Sequence, residues 1–133
     1  MNPDFLTLEE VLEIHSTQLA RFGGAAGVRD IGLLESALSQ PQASFGGEYV
    51  HGDLFEMAAA YLFHVVSNHP FIDGNKRAGL LSALVFLDIN GIEINDKGDM
   101  LYDLTIKVAS GNSNKSEISE VLRSLVAPPP ARA

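Results

Sequence analysis

His69-Pro70-Phe71-Ile72-Asp73-Gly74-Asn75-Lys76-Arg77 decides how this chain is read, because one helix ends inside it and another begins. Upstream, Asp53 is a cap for a helix whose face carries Leu54, Ala58, Tyr61, Leu62 and Val65, broadened by Phe55 and Phe63. Pro70 ends that helix near His69, since it has no N–H and restricts the residue before it. Downstream, Asp73 is expected to cap a second helix running to about Asn90 through Leu80, Leu81, Leu84, Val85, Phe86 and Leu87. Apolar residues occupy almost its whole circumference, so it is expected at the centre, enclosed by the others. Ala78, Gly79, Ser82 and Ala83 permit close helix approach on one side.

Working outward, helix dominates. Thr7 and Glu10 form a capping box ahead of a helix with Leu8, Val11, Leu12, His15 and Leu19 on one face. Gly23, Gly24 and Gly27 end it, and Asp30 caps a short helix carrying Leu33, Leu34, Ala37 and Leu38. Gln40 to Gly52 has no helical stripe and reads as a flap or small hairpin. Asn90-Gly91 gives a left-handed stop, and Ile92 to Ile94 a very short strand. A fifth helix is expected from Gly98 or Asp99 with Leu101, Leu104 and Val108. A last one opens near Ser116 with Ile118, Val121, Leu122 and Leu125. The pattern predicts an all-α, single-domain bundle of about six helices around a central apolar helix, with a small flap. The expected domain spans 1–127, and 128–133 forms a loose proline-rich tail.

Composition narrows the chemistry. The 133 residues suffice for one domain, and 46% hydrophobic content excludes wholesale disorder. With no cysteine, thiolate zinc sites, iron–sulfur ligation and thiol nucleophiles are excluded. The net charge of −8 repels nucleic acid at long range, and no basic stripe would hold a polymer, so a nuclease has weak support. Met1-Asn2-Pro3-Asp4 has no basic flank, and the apolar run from Leu80 to Leu87 is far below spanning length. A soluble, cytoplasmic protein without membrane contact is expected.

The opening stretch carries the chemistry. A helix start aims N–H groups at one spot that attracts phosphate. Lys76 adds a point charge and Arg77 a fork of donors. Asn75 offers an amide able to orient an oxygen, Asp73 a hard oxygen ligand for magnesium, and His69 a base near neutral pH. Phosphoryl or nucleotidyl transfer needs that set. Each residue also has a plainer reading: His69 and Asp73 as capping residues, Lys76 and Arg77 as solvated first-turn residues, Phe71 as an apolar plug, Gly74 as a tight backbone. Two cations at a helix start oppose the helix dipole unless an anion sits there.

The stretch meets the pattern histidine, any residue, phenylalanine, any residue, acid, small residue, asparagine, lysine, arginine. With Arg21-Phe22-Gly23-Gly24, Gly27 to Asp30, Gly32 to Leu38 and Pro41-Gln42, the chain resembles the Fic/Doc superfamily, closest to its death-on-curing (Doc) toxin branch. The resemblance implies that His69 accepts the proton of a target hydroxyl and Asp73 holds nucleotide-bound magnesium. It implies that Gly74, Asn75, Lys76 and Arg77 cradle the phosphates of ATP. The flap would dock the protein target.

Typical adenylyl-transferring Fic domains have glycine at Lys76 and a second arginine at Leu80. The pattern here resembles Doc members that act as protein kinases, whose implied target is a threonine of elongation factor Tu. A cognate antitoxin with a disordered segment that folds into an apolar groove is the implied partner. Helix one and the last two helices offer exposed candidates for that groove. Two further readings stay open: an adenylyl or nucleotidyl transferase of the Fic type, and a non-catalytic helical partner-binding module.

Overall fold

Met57 to Leu62 are six consecutive buried residues, and a helix buried on every side has to sit in the middle of the molecule. The computed structural model describes residues 1–128. Its elements are α1 (Leu8–Phe22), α2 (Ile31–Ser39), β1 (Ser44–Phe45), β2 (Glu48–Tyr49), α3 (Leu54–Asn68), α4 (Asn75–Ile89), α5 (Met100–Ala109) and α6 (Lys115–Ser124). The all-α, six-helix architecture with a small hairpin is the one the pattern predicts. Residues 129–133 of the expected tail lie outside the described residues.

The helix at the centre differs from the expectation. It is α3, against which α2, α4, α5 and α6 all pack. On α4, Leu80, Leu81, Leu84 and Val85 are only half-buried. The reason is side-chain size. Helix α4 turns its small residues toward α3, and a Cβ built on Gly79 would lie 2.8 Å from Cγ2 of Val66. Its larger aliphatic residues are therefore left for the flanks, where α1 and α5 cover them in part. The Ala58-Ala59-Ala60 run of α3 lets neighbours close in from several sides.

Local signals set most boundaries. The Thr7 side chain accepts from the Glu10 N–H at 3.1 Å, and Glu10 accepts from the Thr7 N–H at 2.9 Å, completing the box. Asp30 and Asp53 accept from the N–H groups of Leu33 and Glu56. Asn114, rather than Ser116, caps α6 through the Glu117 N–H. The start of α5 is held by Asp96, whose carboxylate accepts from Gly98 and Leu101. These backbone bonds hold the Asp96 carboxyl below its ordinary range.

The flap is a two-stranded hairpin turning at Gly46-Gly47, both at positive φ as a two-residue primed turn requires. Phe45 stands 87% exposed on it, while Tyr49 packs edge-on against Phe5. The Ile92 to Ile94 strand is reduced to a single bridge between Ile94 and Val126. The Tyr61 hydroxyl accepts from the Leu6 N–H at 2.9 Å, tying the N-terminal segment to the core. Burial pushes that phenol up to about 12.

Candidate active site

The turn from α3 to α4 is built from both sides. His69 ends α3 at φ 53, ψ 49, the one non-glycine residue at positive φ among those described. That left-handed geometry is uncommon for a side chain with a Cβ and has to be held by its surroundings. Arg29 holds it. Its Nε donates to the His69 carbonyl at 2.7 Å and its Nη2 to the Asn68 carbonyl at 3.0 Å, placing a cation at the negative end of α3. The N–H groups of Arg29 and Asp30 both donate to the Pro70 carbonyl, and that of Ile72 donates to the Gly27 carbonyl. The glycine-rich segment after α1 is thus stitched to the turn.

Inside the turn, Phe71 is fully buried. Asn75 grips its backbone from both sides, accepting from the Phe71 N–H at 2.9 Å and donating to its carbonyl at 3.0 Å. The Asn75 amide, expected to orient a ligand oxygen, also closes this loop, using its Oδ1 and one of its two Nδ2–H donors.

Asp73 does not cap α4. The cap position is Gly74, in the left-handed region at φ 79, and no side chain caps the helix. The Asp73 carboxylate is turned to its own loop, with Oδ1 accepting from the Gly74 N–H at 2.8 Å and Oδ2 from the Ala25 N–H at 3.3 Å. The physical reason is the tight turn: with glycine supplying the cap geometry, the carboxylate lies one residue too early to reach the N–H groups of the first helical turn. Those amides are therefore left for another acceptor.

His69, Asp73, Gly74, Asn75, Lys76 and Arg77 all line one cavity of about 520 Å³. His69, Asp73, Lys76 and Arg77 are exposed, and Asn75 is buried. Among the described residues, no carboxylate lies within ion-pair distance of Lys76 or Arg77. The Arg77 guanidinium instead lies 4.4 Å above the ring of Phe22, at the end of α1. The imidazole of His69 has Nδ1 3.3 Å from the Val66 carbonyl. With the proton donated there, Nε2 is bare and able to accept one. An exposed base, a carboxylate, two free cations and an uncapped helix start thus share one wall, a set suited to phosphate chemistry.

A family model described as "Fic/DOC family" matches residues 5–87. The chain belongs to the Fic/Doc family. It is 38% identical over 117 residues to "Protein kinase doc" of Escherichia phage P1, covering 88% of this chain and 91% of that protein. It is 36% identical over 126 residues to "Toxin Doc" of Mycolicibacterium smegmatis (strain ATCC 700084 / mc(2)155), covering 93% and 95%. Both relatives carry the Doc name, and this Fic/Doc chain sits in that toxin branch.

Residues outside the nine-residue motif complete this turn and cavity, and of these only Leu80 has a role in the sequence pattern. Arg29 was visible only as part of the stretch resembling the family. In the sequence His15 is one position of an apolar stripe, and a lone polar residue on such a stripe is the available signal. The far wall comes from Tyr102, Thr105 and Ile106 of α5, with Leu80 of α4. Nothing local marks those α5 residues. They lie beyond residues 5–87 and reach the cavity only because α5 packs against α4.

Proposed function

We propose that this chain is a Doc-type toxin of a toxin–antitoxin pair that transfers the terminal phosphoryl group of ATP to a threonine hydroxyl of a translation factor such as elongation factor Tu. The observation that carries the reading is the convergence of the exposed His69 and the uncapped start of α4 on one cavity. In the proposed reaction, Nε2 of His69 takes the hydroxyl proton as the oxygen attacks the terminal phosphorus. ADP departs, leaving phosphothreonine. The N–H groups at the start of α4, with Lys76 and Arg77, hold the phosphates and offset their charge.

The donor set fits magnesium. Asp73 offers a hard carboxylate oxygen, and among the described residues no cluster of three or more metal-binding side chains is present. Magnesium is commonly held by one or two carboxylates together with substrate phosphates. When bound, it would neutralise charge on the transferring phosphates.

Leu80 supports phosphoryl over adenylyl transfer. It places an aliphatic side chain on the cavity wall, at the position where the resemblance puts a second arginine in adenylyl-transferring Fic domains. The relative named as a protein kinase points the same way. Such a target would place the protein in the cytoplasm. No helix among the described residues is long and apolar enough to cross a membrane.

The proposed antitoxin contributes a segment that folds as a helix on binding. The groove between α1 and α4 suits it, with Ile14, Leu81 and Val85 as an apolar floor and Glu10 and Glu13 as an acidic rim for basic residues.

The test uses purified protein, magnesium, elongation factor Tu and ATP labelled at the terminal or the innermost phosphate. Terminal label on the factor is expected, and it should vanish in a folded His69→Ala variant. Innermost label would mean adenylyl transfer. No label, with partner binding intact, would leave only a binding module.

A further inference from the structure

His15 lies on α1 and is only 5% exposed, and its imidazole packs into the α3–α4 turn. Its ring stacks on Phe71, with centroids 3.7 Å apart and planes 7° from parallel. Its Nε2 lies 2.7 Å from the carbonyl oxygen of Asp73. A Cβ built on Gly74 would lie 3.5 Å from Cδ2 and Nε2 of the same ring.

A carbonyl oxygen only accepts, so Nε2 carries the proton of this bond. We propose that His15 is a positioning residue for the phosphate turn, holding the Asp73 carbonyl inward so that the Gly74 N–H points outward to anchor the Asp73 carboxylate and the amides that start α4 stay open to the cavity.

The argument concerns one peptide plane. The C=O of Asp73 and the N–H of Gly74 belong to the same rigid unit and point in opposite directions. With the carbonyl drawn inward to His15, the Gly74 N–H points out and meets Asp73 Oδ1 at 2.8 Å. If this plane flipped, a carbonyl dipole would face the bound phosphates and repel them. Gly74 makes such a flip accessible, because glycine tolerates both signs of φ. The turn therefore needs an outside constraint, and a buried donor at 2.7 Å supplies it. Phe71 keeps the imidazole in plane for that bond. This inference rests on the reading of the turn as a nucleotide site.

The test separates the two. In the ¹⁵N-labelled full-length chain, imidazole spectra are expected to show a slowly exchanging proton on Nε2 of His15. A proton on Nδ1 alone would overturn the proposal. Calorimetric titration with magnesium-ATP then compares wild type, His15→Phe and His15→Gln. Phenylalanine keeps a stacking ring and removes the donor, while glutamine restores an N–H donor. His15→Phe is expected to bind about tenfold more weakly, the effect of one lost hydrogen bond, and His15→Gln to recover to within about threefold of wild type. A folded His15→Phe with wild-type affinity defeats the proposal, as does a His15→Gln as weak as His15→Phe. Should His15→Phe not fold, a stable His15→Gln that binds tenfold more weakly defeats it, and near-wild-type binding supports it. Failure of the wild type to bind magnesium-ATP defeats the nucleotide reading and the positioning role together, whereas binding with the wrong tautomer defeats the positioning role alone.

Discussion

The guanidinium of Arg29 closes on the carbonyl of His69 at 2.7 Å across a sequence separation of 40 residues. The same side chain reaches the Asn68 carbonyl at 3.0 Å, so one cation braces the end of α3 where the proposed base sits in a left-handed conformation. Both bonds are solvent-exposed, so each contributes about 0.5–1.5 kcal/mol.

Arg29→Ala should therefore release His69 from its direction before it unfolds the protein. Transfer to the target is expected to fall about 10- to 100-fold, while the circular dichroism spectrum stays helical. Arg29→Lys should lie between, since an ammonium cannot reproduce the two-pronged contact. Wild-type rates in Arg29→Ala would show that His69 keeps its place unaided.

Phe22 and Arg77 make a second, separable prediction. The exposed Phe22 ring lies under the Arg77 guanidinium at 4.4 Å and limits where that cation can point. Such contacts contribute about 0.5–1 kcal/mol at exposed sites. Phe22→Ala should raise the half-saturating ATP concentration roughly two- to fivefold, and Phe22→Tyr should leave it near wild type. Steady-state titration of both variants checks this, and equal values for Ala and wild type would remove the ring from the site.

Packing between α3 and α4 gives two opposite expectations on one helix. Gly79→Val would force side-chain atoms into Val66 and toward the Leu62 carbonyl, and should cost about 1–3 kcal/mol or more. Ser82 is fully buried and its hydroxyl is the one buried side-chain polar atom among the described residues without a hydrogen-bond partner. Ser82→Ala removes an unmatched polar group, so stability should be unchanged or rise by up to about 1 kcal/mol. Urea unfolding of the two variants decides both.

His64 links stability to pH. It accepts from Nζ of Lys115 at 3.2 Å, and burial, followed by the charges of Lys115 and His51, lowers it to about 4. Burial and Lys115 also lower His51, with Glu56 opposing. A base depressed in the folded state binds its proton more readily when unfolded, so stability rises with pH across this window. The stabilisation is complete above about 6.5, the ordinary histidine value, and is lost progressively as pH falls toward about 4. The melting temperature is expected to drop between pH 7 and pH 5, and His64→Gln should flatten that slope. An unchanged slope in His64→Gln would place the linkage elsewhere.

What the sequence by itself determined is the local grammar. Thr7, Asp30 and Asp53 act on N–H groups three residues away, Pro70 acts on the residue before it, and glycines mark the turns. Such effects lie within a single helical turn, so pattern reading finds them. It also brought out the nine-residue motif and, through it, the family. Only the tertiary structure decided which helix is central, because that depends on how small faces such as Ala78 and Gly79 mate with a neighbour. Packing likewise turned Asp73 and Asn75 into their own loop, brought His15 and Arg29 to the turn, and set Tyr102 and Ile106 on the far wall. The His15 and Arg29 contacts span 58 and 40 positions, and a directional bond over such a span exists only once the core has fixed the backbones that carry it. The Asp73 and Asn75 bonds are local, but side-chain direction in an irregular turn follows no sequence period.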